Sequence, residues 1–178
     1  MQLSRQALLY YTLGITCIAL KFGYAGSTTT DLLWLLRPTD ALIGSILSSP
    51  STFDPSRGFV HTDLHISVDK SCSGFNFWVL CSALLCVKCL QYWGPKRAGA
   101  GWALLALAVL GYGLTVVVNT SRILTAVALQ RLLPEAAQRL TWLHQAEGVV
   151  VYLIFLFLIY TGFTLLCHYL ILRNAKSA

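Results

Sequence analysis

Three residues of this chain could together cleave and transfer a peptide bond, and each stands beside a different apolar segment. Cys72 stands at the start of one apolar run, Arg122 near the end of the next and His144 just before the last. A thiolate can attack a carbonyl carbon, a guanidinium can donate hydrogen bonds to the developing oxyanion, and an imidazole can pass a proton to the leaving amine. The residue types and their order therefore predict nucleophilic catalysis by a cysteine.

Cys72 differs from the other cysteines in its surroundings. It follows the polar residues Asp69, Lys70 and Ser71 and begins a predicted helix, whose unpaired N–H groups and positive dipole end favour a thiolate. The other cysteines lie inside apolar segments, where a thiol is usually a small unreactive hydrophobe: Cys17, Cys81, Cys86, Cys89 and Cys167. Cys72 is thus predicted to be the one thiol at the outward-facing surface of the membrane. Exposed cysteines there usually form disulfides, so an unpaired one indicates a functional role.

The partners of Cys72 also have plain structural interpretations. Taken alone, Arg122 is typical of an arginine that extends to the membrane interface, and a single interfacial His144 needs no function. They predict chemistry only together with Cys72, because the helices of a small bundle pack side by side and bring the helix ends together. The roles of three nearby polar residues, which could orient groups, bind substrate or favour a helix terminus, stay open: Asn76, Asn119 and Glu147.

The composition predicts an all-α integral membrane protein. The 178 residues are 56% hydrophobic and only 11% charged, whereas soluble domains are about a quarter charged. Long apolar runs predict about four transmembrane helices, at residues 6–24, 72–93, 101–119 and 148–172; the first could instead be a signal peptide. We expect a single membrane-embedded domain over residues 1–178, in contact with the lipid bilayer. The net charge of +6 comes from scattered residues, which argues against a nucleic-acid partner.

The segments between the spans carry weaker patterns. Residues 31–47 are apolar but contain Arg37, Pro38 and Asp40, which predict a broken re-entrant or interfacial helix at the outer surface. Residues 60–68 alternate between apolar and polar, which predicts a half-exposed strand in a small β-hairpin with residues 51–53. Residues 120–147 predict two shorter helices separated at Leu133-Pro134.

The distribution of basic residues predicts the orientation in the membrane. With the N-terminus inside, the short inner segments hold no acidic residue, and their basic residues are Arg5, Lys96, Arg97, Arg173 and Lys176. Lys and Arg concentrate on the cytoplasmic side of membrane proteins. We therefore expect a multi-pass membrane protein with Cys72, Arg122 and His144 facing the outside.

A different enzyme class is possible on the predicted strand. His61, Asp63 and His65 alternate there, and alternate strand positions can present metal ligands together. A membrane metalloprotein is therefore an alternative, although such short alternations are common on solvated strands. A further alternative is a non-catalytic assembly subunit of a membrane complex, in which Cys72, Arg122 and His144 only pack at interfaces.

Three motifs in sequence order resemble those of a known family, the exosortases and archaeosortases. They are Ser-Cys72-Ser-Gly-Phe-Asn-Phe, Asn119-x-x-Arg122 at the end of a later span, and His144-x-x-x-Gly148 at the start of the last one. The Leu-Arg-Pro-Thr39 segment and the short length are most like the exosortase K branch.

The resemblance implies an activity and a site. Members of this family are integral membrane, transpeptidase-like proteins that are thought to cleave C-terminal sorting signals of the PEP-CTERM kind. Carried over to this chain, the catalytic cysteine, arginine and histidine would be Cys72, Arg122 and His144. The resemblance thus implies a cysteine peptidase or transpeptidase that forms a thioester and whose partner is the C-terminal tail of an exported protein. No metal or other cofactor is expected.

Overall fold

The computed structural model describes residues 5–93, 100–132 and 141–176, which form five α-helices and one small sheet. The helices are α1 (Arg5–Gly26), α2 (Leu33–Leu47), α3 (Phe75–Trp93), α4 (Ala100–Leu132) and α5 (Thr141–Lys176). The strands are β1 (Thr52–Asp54), β2 (Gly58–His61) and β3 (Ile66–Val68). Short 3-10 turns precede α2 and α3, at Thr30–Leu32 and Lys70–Cys72.

Four of the helical segments in the described residues are long and apolar enough to cross a membrane, which confirms the predicted fold class. They are Ala7–Gly26, Lys70–Tyr92, Gly101–Leu132 and Ala146–Arg173. Two are longer than predicted, since α4 continues to Leu132 and α5 begins at Thr141. The helix therefore does not end near residue 119, where the third span was predicted to end, and the membrane edge itself stays a prediction. The predicted break at Leu133-Pro134 and the basic turn at 94–99 lie outside the described residues.

Hydroxyl groups keep α4 helical through the polar stretch where its end was expected. Thr120 and Ser121 donate hydrogen bonds of 2.8 and 3.0 Å to the carbonyl oxygens four residues earlier. Their polar groups are thus satisfied within the helix itself and require no water. As a result Arg122 lies inside α4 rather than just after it.

Helix α2 is continuous although Pro38 lies inside it. Proline has no N–H, so the carbonyl oxygen of Trp34, four residues earlier, has no partner within the helix. The hydroxyl of Tyr112 in α4 donates to that oxygen at 2.7 Å. Of the two predicted possibilities, a broken or an interfacial helix, the break is not present, because α4 replaces the missing donor. The position of α2 at the outer membrane surface stays a prediction.

The polar segment before α3 folds as an antiparallel sheet in the order β1-β2-β3. Val60 in β2 pairs with Thr52 in β1 and with Ser67 in β3. The predicted pairing of residues 51–53 with the following strand is confirmed. The single strand predicted over residues 60–68 is wrong, because the chain turns at residues 62–65 and His65 adopts φ +54°. Apolar and polar residues alternate on both sides of this turn, so the two short strands have the sequence pattern of one longer strand.

Helices α3, α4 and α5 pack around a shared apolar cluster, which contains Phe77, Cys81, Leu85 and Val118. A close approach of α3 and α4 depends on Gly111, where a β-carbon would collide with Ser82. Helix α1 joins the bundle near its C-terminal end, where Tyr24 stacks on Phe75 with ring centroids 4.6 Å apart. The bundle therefore places the start of α3 between α1 and α4.

Candidate active site

Cys72 ends a 3-10 turn and precedes α3, whose first residue is Phe75. Its backbone N–H donates to the carbonyl oxygen of Asp69 at 2.9 Å, and its half-buried side chain places Sγ 3.7 Å from Oγ of Ser71. The prediction that Cys72 lies in the first turn of the α-helix is corrected. The helix begins later because Gly74, at φ +70°, interrupts the helical backbone.

Gly74 is also what lets this turn approach α4. A β-carbon at this position would lie 3.1 Å from Cγ2 of Thr115 and 3.2 Å from Cγ of Asn119. Such distances are shorter than ordinary van der Waals contact, and the positive φ is costly for any residue with a β-carbon. Position 74 therefore requires glycine for two reasons: its backbone has a positive φ, and no space is left for a β-carbon.

Asn119 connects the turn of Cys72 to both neighbouring helices. Its Nδ2 donates to the carbonyl oxygen of Cys72, and its Oδ1 accepts a hydrogen bond of 2.8 Å from the hydroxyl of Tyr152 in α5. The side chain is fully buried, so no solvent competes for these bonds. One amide of α4 thus holds the backbone of the candidate nucleophile and a side chain of α5.

Arg122 lies one turn after Asn119 on α4 and contacts α5. Its Cζ lies 5.4 Å from the ring centroid of Tyr152, and a β-carbon added at Gly148 would come within 3.1 Å of that same Cζ. Its Nε is buried with no hydrogen-bond partner in the part of the chain that the structure describes, and Glu147 interacts with it electrostatically. The guanidinium is therefore directed towards α5 within the bundle.

His144 lies in the first turn of α5, and its side chain lies outside the described part of the structure. Gly148, which contacts Arg122, follows it by one helical turn, and residues four apart occupy the same helix face. The backbone therefore brings the first turn of α5 close to Arg122. The contacts that the imidazole makes stay a prediction.

Tyr152 is the site residue that the sequence analysis missed, because it lies inside an apolar span. A usable signal was its spacing, since residues 144, 148 and 152 are four apart and share one face of α5. Asn76 is exposed and faces α1, where its Oδ1 accepts a hydrogen bond from Nζ of Lys21, and its role stays open.

The turn of Cys72 is also fixed to α1. The hydroxyl of Tyr24 donates to the carbonyl oxygen of Lys70 at 3.0 Å. In return, Nζ of Lys70 donates to the carbonyl oxygens of Ala25 and Ser27 at 3.2 and 2.7 Å. A cation at the C-terminal end of a helix also interacts favourably with the helix dipole. Cys72 is therefore held from two sides, by α1 and by α4.

The histidine of β2 belongs to a separate buried cluster. Nε2 of His61 lies 2.9 Å from Oδ1 of Asp40, and Nδ1 lies 2.8 Å from Oγ of Ser49. The Ser49 hydroxyl donates to Asp63 at 2.6 Å, and this bond lowers the pKa of the Asp63 carboxyl below its usual value. A hydroxyl has one hydrogen, which Ser49 donates to Asp63, so the Ser49 oxygen is left to accept from Nδ1 of His61.

This bonding excludes the predicted metal site. Both nitrogens of His61 are engaged in hydrogen bonds. His65 does not lie on the same strand as His61 but is exposed in the turn that follows it. In residues 5–93, 100–132 and 141–176, no three metal-ligating side chains come together. The alternative of a metal bound by His61, Asp63 and His65 is therefore wrong.

Comparison with known proteins identifies one family. Residues 8–161 match the family model of the transmembrane exosortases (Exosortase_EpsH), a range that includes Cys72, Arg122 and His144. No curated protein and no solved structure matches the chain. The resemblance at the level of the family is confirmed, and the K branch stays a prediction.

Proposed function

Because the chain belongs to the transmembrane exosortase family, we propose that it is a membrane cysteine peptidase or transpeptidase that cleaves C-terminal sorting signals of exported proteins. The proposal assigns catalysis to Cys72, Arg122 and His144. The observation that carries it is the arrangement on α4: Asn119 bonds the backbone of Cys72, and Arg122, one turn later, contacts α5 at Gly148.

The proposed reaction proceeds through a thioester. The thiolate of Cys72 attacks the scissile carbonyl carbon, and the oxyanion that forms accepts hydrogen bonds from Arg122. His144 donates a proton to the leaving amine as the C–N bond breaks. Water or an amine then attacks the thioester, which releases the substrate acyl group and restores the thiol.

The environment of Arg122 suits the role of an oxyanion donor. Its Nε–H is buried and has no partner in the described residues, which fits a donor held where water is excluded. The ring of Tyr152 and the backbone of Gly148 limit where the planar guanidinium can lie. A donor that is fixed in advance in a site with little water stabilises a developing charge more than one in bulk solvent does.

The membrane gives the substrate a direct approach. A C-terminal tail of the PEP-CTERM kind would insert beside the bundle from within the bilayer, with its scissile bond level with Cys72. Diffusion in two dimensions and a fixed depth then provide much of the orientation that the reaction needs. In the proposed orientation, the site faces the outside of a bacterial cytoplasmic membrane.

The test is cleavage of a tail-bearing reporter that is coexpressed with this protein in a bacterial membrane. The wild type is expected to shorten the reporter, Cys72→Ala to leave it intact, and Cys17→Ala, a change inside α1, to behave like the wild type. The amount of inserted protein is measured for each variant. Equal cleavage by Cys72→Ala at normal insertion would overturn the proposal and favour a non-catalytic assembly subunit.

A further inference from the structure

Tyr152 makes two different contacts with the candidate site through two different parts of its side chain. Its hydroxyl donates to Oδ1 of Asn119 at 2.8 Å. The face of its ring lies 5.4 Å from Cζ of Arg122. A single residue of α5 thus reaches both groups that α4 contributes to the site.

The direction of the hydrogen bonds allows only one orientation of the Asn119 amide. The carbonyl oxygen of Cys72 can only accept, so the NH₂ group of Asn119 must face it. The amide oxygen then faces Tyr152, whose hydroxyl is the donor. Without that hydroxyl, the buried amide oxygen would lose its partner and the amide would be free to rotate.

The ring contributes in a separate way, through the guanidinium of Arg122. The negative face of an aromatic ring attracts a cation, and the interaction is stronger where water is excluded. The same guanidinium contacts Gly148, which lies one turn before Tyr152 on α5. Gly148 and Tyr152 together therefore limit where the proposed oxyanion donor can lie.

We propose that Tyr152 is a positioning residue, which aligns the nucleophile through Asn119 and the oxyanion donor through its ring face. It does not react itself. The hydroxyl fixes the amide that holds the turn of Cys72, and the ring holds Arg122 at the level of that turn. This inference rests on the proposed function for its effect on turnover, although the alignment of the Cys72 turn can be measured without any cleavage.

Two substitutions separate the hydroxyl from the ring. Tyr152→Phe removes the donor to Asn119 and keeps the ring under Arg122. It is expected to lower kcat about 10- to 100-fold with little change in KM, because small misplacements of reacting groups cost rate rather than binding. Tyr169→Phe, an exposed position on the same helix, is the matched control and is expected to match the wild type. Tyr152→Leu removes both contacts and is expected to lower kcat further than Tyr152→Phe.

A double substitution tests whether the Tyr152 hydroxyl affects kcat through Asn119. If the hydroxyl acts through Asn119, then Tyr152→Phe combined with Asn119→Ala is expected to be no slower than Asn119→Ala alone. Losses that multiply would show independent roles and overturn the inference. A wild-type kcat for Tyr152→Phe would overturn it as well.

The rate at which a maleimide alkylates Cys72 gives a readout that needs no substrate. Release of the Cys72 carbonyl is expected to raise this rate several-fold and equally in Tyr152→Phe and Asn119→Ala, while Tyr169→Phe stays at the wild-type rate. If no tail is cleaved even by the wild type, the proposed function fails, but this comparison still decides the positioning role. An unchanged rate in Tyr152→Phe would overturn that role.

Discussion

The guanidinium of Arg122 packs against the backbone of Gly148, where a β-carbon would come within 3.1 Å of both Cζ and Nη2. This contact joins α4 to α5 one turn after His144. The glycine of the His144-x-x-x-Gly148 motif therefore has a physical reason, because any larger residue would occupy the place of the guanidinium. It connects the two later motifs of the family resemblance in space.

Gly148→Ala is expected to lower the rate of tail cleavage by about tenfold or more, because it displaces an arginine whose full loss as an oxyanion donor would cost about 10²–10³-fold. Gly162→Ala in the same helix is the control, since a β-carbon there meets nothing within 4 Å. Cleavage is measured on the coexpressed reporter. Equal activity of both variants would contradict a role for the position of Arg122.

Arg122→Lys keeps the positive charge but removes the planar set of N–H donors. We expect a loss in kcat of about 10²-fold, since one compact ammonium group does not replace two donors of fixed geometry. Arg131→Lys, at an exposed position later in α4, should have no effect. Full activity of Arg122→Lys would contradict the role of Arg122 as an oxyanion donor.

Gly74→Ala should destabilise the turn of Cys72. The backbone there has φ +70°, and the added carbon would press on Thr115 and Asn119. A residue with a β-carbon in such a conformation costs about 1–3 kcal/mol. Thermal unfolding in detergent measures the effect, and Gly113→Ala, which meets nothing within 4 Å, provides the comparison. A Tm equal to that of Gly113→Ala would contradict the described contact with α4.

Cys72 is expected to be the only thiol that a membrane-impermeant maleimide labels on intact cells. In the structure its side chain is half-buried at the start of the second span, whereas four other cysteines are buried within the bundle: Cys81, Cys86, Cys89 and Cys167. Cys17 lies inside the apolar helix α1. Cys72→Ala should remove all labelling. Label that persists in this variant would contradict the proposed orientation of the spans.

His61→Ala should lower the stability of the protein by about 1–3 kcal/mol, because it leaves Oδ1 of the buried Asp40 without its hydrogen-bond partner. His65→Asn is the control, since His65 is exposed and asparagine tolerates its positive φ. Thermal unfolding with and without a chelator measures both points. Chelation is expected to change nothing, and a Tm that falls with chelator would revive the metal alternative.

The sequence was sufficient to predict four membrane-spanning helices and the polar-to-apolar boundary near Cys72, because both are local properties. It was not sufficient for the ends of α4, since a polar stretch at residues 119–122 is equally compatible with a helix end and with a buried site. The choice depends on partners that are far away in sequence. Asn119 stays in the helix because Tyr152 and Cys72 satisfy its amide.

The same reason explains the error at Pro38. A proline in the middle of an apolar segment predicts a break, and only the position of Tyr112, in another helix, restores the missing hydrogen bond. The composition of the candidate site likewise depends on contacts between residues that are distant in sequence. Residue types predicted which groups could do chemistry, whereas Tyr152 emerged only from the packing of α4 against α5.

The length of α4 ties the site to the thickness of the bilayer. Its candidate span has 32 residues, or about 48 Å at 1.5 Å per residue, while a hydrocarbon core of ~30 Å covers about 20 of them. A membrane edge drawn at Gly101 puts the opposite edge near residue 121, between Asn119 and Arg122. Lipids with longer chains would then place the level of Arg122 within the hydrocarbon, and lipids with shorter chains would place the level of Asn119 at the interface. Hydrophobic mismatch is therefore expected to tune this protein, with an optimum in activity across vesicles of graded acyl-chain length.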